Sequence, residues 1–285
     1  MNVPESTGTL YVSDLDGTLL GADSRLSVAS CAMLNEAIAQ GALFTVATAR
    51  TPATVSPLLA EVSMNLPAVV MTGSALWSRN SRAYSDVHSL STRDADRILA
   101  LCERMRLPVF VYTLRDEVLH VYHTGPLTDA ERAFMAERLH TSFKQFHVPS
   151  SGVSMPPYTV GEVLLLFTLR PTCEVEPVYE LLRHDPGCNP VFYHEKPGSE
   201  NALMEIFAPG VSKAGAIREV ARKCGATRIV AFGDNINDIP MLQAADVAVA
   251  VSNAMPEVRE VADVIIGPNT DDSVPRFILD DMAGH

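Results

Sequence analysis

The sequence predicts an α/β protein: a doubly wound, mostly parallel core sheet interrupted by an inserted α+β module. Two patterns and the size of the chain carry that expectation. Apolar strand-like runs alternate with helix-like segments at both ends of the chain, and a βαβαβ order leads to parallel pairing through short crossovers. The middle of the chain switches to strand pairs set between helices, the pattern of a largely antiparallel sheet. With 285 residues, 47% hydrophobic and 20% charged, there is material for one large domain or two ordinary ones with a real core.

The elements follow in order. Residues 10–13 are a short apolar run ending at Asp14, which reads as a buried strand. Ser27 can cap a helix running to Gln40, with Val28, Cys31, Leu34, Ala37 and Ile38 on its apolar side, and Gly41 stops it. Residues 42–47 form the next strand. Thr51 and Pro52 read as an N-cap followed by proline in the first turn, while Pro57 predicts a break or kink. Residues 67–71 give a third strand before Thr72-Gly73-Ser74. In such sheets ligands bind beyond the carboxyl ends of the strands. Asp14, Thr48 and Thr72, each following a strand, are therefore expected on one edge.

In the middle, helices are expected at 92–105, 129–139 and 174–183. Strands are expected at 109–112, 119–122 and 163–169, with a hairpin of 191–194 and 203–207. The Ser- and Pro-rich stretch 145–161 reads as a loop. The chain then returns to α/β order: helix 213–224, strand 228–232, short helix 239–244, strand 247–251, helix 256–262 and strand 264–266. The expected division is a discontinuous α/β core of residues 1–84 and 210–285, with residues 85–209 inserted as a cap.

Composition narrows the function. A net charge of -12, from 34 acidic and 22 basic residues, argues against nucleic acid or an anionic membrane surface as the main partner. A small anionic substrate remains compatible, because a metal and a few placed cations can invert the local field. The five cysteines are odd in number, widely spaced and without a CxxC, which argues against a disulfide framework or zinc site and for a reducing cytoplasm. The first residues lack the basic-then-apolar order of a signal peptide. The longest apolar runs are too short to span a bilayer.

Four short stretches carry chemistry. Asp14-Leu15-Asp16-Gly17-Thr18 follows a buried strand, and two carboxylates one residue apart on a loop can share a site, one attacking phosphorus and the other moving protons. Asp-Gly is also an ordinary turn. Phe232-Gly233-Asp234-Asn235-Ile236-Asn237-Asp238 again follows a strand. Asp234 can add a second acidic ligand to Asp14 for hard Mg²⁺, with Asn237 and Asp238 holding water or orienting the ligands. Its plainer reading is a capping loop. Thr48-Ala49-Arg50 offers a hydroxyl and backbone N–H groups to an oxyanion, though taken alone it reads as helix capping. Lys213, opening a helix, can neutralise phosphate oxygens and the Asp14 charge; a single lysine is ordinarily a solvated surface residue.

The order of these stretches, with the TGS after the third strand, EIFAPGVSKAGAI and GDNINDIPML, resembles the haloacid dehalogenase-like (HAD) superfamily over nearly the whole chain. Within it the chain is most similar to Cof-type phosphatases with a type IIB cap. The resemblance implies a Rossmann-like core and a Mg²⁺-dependent phosphatase of small phosphorylated metabolites, phosphosugars first, working through an aspartyl-phosphate. It implies Asp14 as nucleophile and Asp16 as general acid and base. Thr48, the Ala49 backbone N–H and Lys213 would bind the transferring phosphoryl group, with Asn237 contacting its oxygens. Asp14, the backbone carbonyl of Asp16, and Asp234 would hold Mg²⁺, and Asp238 would support that shell. Ala49 departs from the glycine usual in the family and restricts the backbone there.

Other readings are a sugar phosphomutase, a phospho-accepting signalling module and a non-catalytic binding protein. The large insertion argues against a small receiver module, and the filled motif positions argue against a silent binder. The sequence leaves the oligomeric state open. Trp77 reads as packing, Arg79 and Arg82 as solvated, His120 and His123 as exposed, and the Asp271-Asp272 and Asp280-Asp281 pairs as part of a surface tail.

Overall fold

The computed structural model describes residues 8–139, 141–147, 158, 160–194 and 198–284. The chain divides into two compact units, one running to Ser85 and resuming at Ser212, the other spanning Asp86–Val211.

The first unit opens with β1 (Thr9–Ser13), α1 (Val28–Ala39), β2 (Leu43–Val46), α2 (Pro52–Leu58), β3 (Ala68–Val70), β4 (Ala75–Ser78) and β5 (Ala83–Ser85). Ser27 caps α1 by accepting the Ser30 N–H at 2.8 Å, and Gly41 takes φ +104° just past the helix end. Pro57 lies inside α2, which ends one residue later, where the missing N–H would otherwise be needed. Strands β4 and β5, too short to show in the apolar pattern, form an antiparallel three-stranded sheet with β3. Trp77 is buried on β4. Arg79 is not simply solvated: its guanidinium donates to the carbonyls of Leu59, Ala60 and Val62, closing the frayed end of α2.

The second unit contains α3 (Thr92–Arg104), β6 (Phe110–Arg115), β7 (Val118–His123), α4 (Asp129–Ala136), β8 (Lys144–His147), β9 (Glu162–Pro171), α5 (Thr172–Leu182), β10 (Asn189–His194) and β11 (Asn201–Phe207). Its six-stranded sheet has the order β10-β11-β9-β6-β7-β8, antiparallel except for the parallel β7–β8 pair. Strand β8 corrects part of the loop expected at 145–161. Its sequence KQFH has one apolar residue, so pairing to β7 rather than hydrophobicity defines it. Residues 148–157 and 159 of that expected loop lie outside the described residues.

His120 and His123 are buried, contrary to the expectation of exposure. His120 Nδ1 lies 2.9 Å from His147 Nε2. His123 Nε2 lies 3.4 Å from Oε1 of the fully buried Glu131, whose two oxygens accept from Arg170 at 3.0 and 2.9 Å. Both histidines found polar partners inside, which is what permits their burial.

The chain returns to the first unit as α6 (Lys213–Cys224), β12 (Arg228–Gly233), α7 (Ile239–Leu242), β13 (Val247–Val251), α8 (Pro256–Val261), β14 (Val264–Ile266) and α9 (Ser273–Ala283). The main sheet is parallel throughout in the order β14-β13-β12-β1-β2, and an Ala47–Val69 bridge attaches β3 beyond β2. The strand order reverses at β1: the chain first moves outward through β2 and β3, then returns on the other side through β12, β13 and β14. This is the doubly wound core that the sequence predicts. The supposed acidic tail is the packed helix α9, which lies on α1. Asp272 accepts from Ser27 and Ser30, and Asp281 from Tyr11 and Arg228, while Asp271 and Asp280 are exposed.

Candidate active site

The site forms at the switch point, where the loops after β1, β2 and β12 leave neighbouring strand ends. The Asp14 N–H donates to the Phe232 carbonyl at 3.0 Å, carrying the β1–β12 ladder one residue into the loop. Gly17 then turns the chain at φ +79°, with its carbonyl held by Asn253 Nδ2 at 2.8 Å. A side chain at Gly17 would run into the Asp234 carboxylate as well as strain the backbone. Glycine is what lets the two acidic loops meet.

Asp14 is 7% exposed, and its Oδ1 accepts from Lys213 Nζ at 2.6 Å. The same ammonium, 3% exposed at the first turn of α6, donates to Asp238 Oδ1 at 2.7 Å. Asp238 is fully buried, and its Oδ2 accepts the N–H groups of Asp234 and Asn235 at 3.2 and 3.1 Å. Asp234 Oδ1 accepts from Thr18 Oγ1 at 2.7 Å. Among the described residues, Oδ2 of Asp14 and Oδ2 of Asp234 accept no hydrogen bond.

Burial raises the Asp14 carboxyl to about 7, against the opposing pull of Lys213. Burial likewise raises Asp234 to about 6, with the Thr18 bond opposing. Burial pulls Lys213 down, but the Asp14 and Asp238 charges outweigh it and hold the ammonium firmly protonated. Three carboxylates thus share one buried corner with one cation.

One oxygen from each of Asp14, Asp234 and Asp238 lies within 4.8 Å of the others. An all-oxygen donor set suits a hard divalent cation such as Mg²⁺. Asp238 has both oxygens committed to Lys213 and to backbone, so the free oxygens of Asp14 and Asp234 are the ones available to a metal.

Thr48 is buried and tied to β3: its N–H donates to the Val69 carbonyl and its carbonyl accepts the Thr72 N–H, both at 3.0 Å. Its hydroxyl oxygen accepts the Arg50 N–H at 3.1 Å, and among the described residues nothing accepts its proton. Ala49 is half-buried and has no positive φ, so the loop does not need the glycine usual in the family. Asn237 is exposed on the turn between Asp234 and Asp238, without a side-chain hydrogen bond among the described residues.

Two residues of the site were not singled out in the sequence. Thr18 fixes Asp234, and it was visible only as the last letter of the DLDGT stretch. Arg50 grips Asp16 by both oxygens, Nε to Oδ2 at 2.7 Å and Nη2 to Oδ1 at 2.5 Å. Its signal was its place directly after Thr48-Ala49, on the loop next to that of Asp14.

Fold and site together define a phosphatase-type hydrolase. The chain belongs to the haloacid dehalogenase-like hydrolases, whose family profile matches residues 11–278. It is 28% identical over 287 residues to the pyridoxal phosphate phosphatase YbhA of Escherichia coli, covering 95% of this chain and 98% of that one. It is 26% identical to the 5-amino-6-(5-phospho-D-ribitylamino)uracil phosphatase YcsE of Bacillus subtilis, covering 94% of each. Its fold matches that of a solved subclass IIB sugar phosphatase with a TM-score of 0.71 at 21% identity, covering 97% of this chain and 99% of the other.

Proposed function

We propose that this chain is a Mg²⁺-dependent phosphatase of small phosphorylated metabolites, with Asp14 as the nucleophile and phosphosugars as the favoured substrates. The observation that carries the reading is the buried Lys213 ammonium set between Asp14 and Asp238, with the second Asp14 oxygen left free. Asp14 attacks phosphorus in line with one carboxylate oxygen, the other being left to the metal, and forms an aspartyl-phosphate as the bond to the leaving oxygen breaks. Asp16 gives its proton to that oxygen, and later takes one from the water that hydrolyses the intermediate. Lys213, the Thr48 hydroxyl and the Ala49 N–H hold the equatorial phosphoryl oxygens, with Asn237 contacting them from the exposed turn. Asp14, Asp234 and the Asp16 carbonyl would hold Mg²⁺, which when bound neutralises carboxylate and phosphate charge that otherwise repel.

The inserted unit, on this reading, selects the substrate. Relatives named as phosphatases of pyridoxal phosphate and of a ribityl phosphate, and a structural neighbour named a sugar phosphatase, differ in the substrate they are named for, which supports a specificity role for that unit. The five cysteines are free, in keeping with the cytoplasm. The test is phosphate release from a panel of phosphosugars, pyridoxal phosphate and nucleotides with Mg²⁺. Repeated turnover of at least one compound supports the reading. Isomer formation without net release would make the protein a phosphomutase, and at most one equivalent of phosphate would make it a phospho-acceptor or binder.

A further inference from the structure

We propose that Arg50 is the positioning residue for Asp16, holding its carboxylate in the orientation from which it protonates the leaving group; this rests on the phosphatase reading above. Asp16 sits on an irregular stretch, at φ -76° and ψ 120°, immediately before the left-handed Gly17. Its side chain is 52% exposed, and among the described residues only Arg50 bonds it. Without that grip a half-exposed aspartate would wander among rotamers. The guanidinium fork engages both oxygens at once, which fixes the carboxylate plane as well as its place.

Arg50 is itself anchored. Its N–H donates to Thr48 Oγ1 at 3.1 Å, and its carbonyl accepts the Met71 N–H at 3.0 Å. The loop after β2, so tied, therefore reaches across to hold the Asp16 side chain on the loop after β1, its neighbour in the sheet. For the acid step one oxygen of the half-exposed Asp16 leaves the fork, takes up a proton from water and passes it to the leaving oxygen, while Arg50 keeps the other oxygen. Lysine cannot reproduce this, because a single ammonium carries no fork.

The experiment measures kcat/KM with Mg²⁺ for phenyl phosphate, whose leaving phenol needs a proton, and for p-nitrophenyl phosphate, whose leaving group hardly does. The proteins are wild type, Asp16→Asn, Arg50→Met, Arg50→Lys and the Asp16→Asn/Arg50→Met double variant, each checked for fold by circular dichroism. A positioned acid is worth about 10²–10⁴-fold. Arg50→Met should lose about tenfold or more of that on phenyl phosphate, and no more than about threefold on p-nitrophenyl phosphate. Arg50→Lys should fall between wild type and Arg50→Met. In the Asp16→Asn background the Arg50 change should cost less than about twofold further, since residues acting as one unit are non-additive.

Equal losses on both esters in Arg50→Met, or full multiplication of the two losses in the double variant, would overturn the proposal in favour of a phosphate contact or a folding role. The same set separates the layers. If wild type hydrolyses neither ester and no compound of the metabolite panel, the phosphatase reading falls and Arg50's role with it. If Asp16→Asn loses equally on both, Arg50 has no acid to position. If Asp16→Asn discriminates and Arg50→Met does not, the Arg50 assignment alone is wrong.

Discussion

Asp238→Asn is the most revealing small change in the site, because it keeps shape and volume and removes one acceptor. Asp238 uses both oxygens as acceptors: Oδ1 takes Lys213 Nζ at 2.7 Å, and Oδ2 takes two backbone N–H groups at 3.2 and 3.1 Å. An amide has one oxygen. If it faces the backbone, its NH₂ opposes the Lys213 ammonium; if it faces Lys213, the NH₂ opposes two backbone donors. Space does not let it turn aside, since even a methyl group on Gly233 would lie 2.6 Å from the Asp238 Cβ. A lost hydrogen bond to a charged group costs about 1.5–3 kcal/mol, and the donor–donor opposition adds about 1 kcal/mol more. The expected destabilisation is about 2–4 kcal/mol. The assay is urea unfolding followed by the fluorescence of Trp77, the chain's one tryptophan, buried in the same unit. With an m-value near the upper end of about 1–3 kcal/mol/M, the midpoint should fall by about 1 M. Lys213 should also loosen in front of Asp14, lowering kcat/KM for any turned-over phosphoester by about tenfold or more, part of the 10²–10³ that a fixed electrostatic donor supplies. A midpoint shift under about 0.2 M together with less than twofold loss of activity would refute the Lys213–Asp238 coupling.

Further predictions follow from the same structure. Asp14→Asn should abolish turnover while leaving the Trp77 unfolding transition in place; near-normal turnover, with deamidation excluded by mass spectrometry, would remove Asp14 as nucleophile. Chelation should abolish phosphate release and Mg²⁺ restore it, with Ca²⁺ a poor substitute because its larger, more flexible shell loosens in-line geometry; full activity of metal-free protein would contradict the carboxylate site. Burial works to raise Glu131, but bonds from His123, the Thr128 N–H and Arg170 prevail and lower it. A lowered carboxyl contributes stability above its unfolded value of 4.5, lost as pH falls through the folded value. Hydrogen-exchange protection in β6, β7 and β9, taken relative to the intrinsic rate at each pH, should therefore fall below that pH in wild type. Glu131→Gln should be less protected already at neutral pH and should flatten the dependence, whereas an unchanged profile would show that the buried pair carries no linkage.

The main sheet was legible because its strands announce themselves locally. Apolar runs such as the strand before Asp14 and the one from Val247 to Val251 end in polar loops or glycine, and Ser27 and Gly41 mark the ends of α1. Asp14, Asp234 and Lys213 were legible as candidates because each lies in a short stretch with its own chemistry. What escaped depends on long-range pairing. Strand β8 has one apolar residue and exists because β7 accepts it as an edge partner. Helix α9 looked like an acidic tail until Asp272 and Asp281 met partners some 245 and 270 residues away in sequence. His123 and Glu131 could be buried only together with Arg170. The Arg50–Asp16 fork joins loops 34 residues apart, and nothing local in either loop specifies it.

The central claim is that Asp14 carries the phosphoryl group between substrate and water. Acid-quenching the Mg²⁺-loaded enzyme during turnover of p-nitrophenyl phosphate, followed by peptide mass mapping, tests it most directly. One phosphorylated peptide is expected, the one bearing Asp14, formed as fast as nitrophenol appears and absent from Asp14→Asn. Steady turnover with no phosphopeptide at any quench time, or phosphate on a different residue, would contradict it.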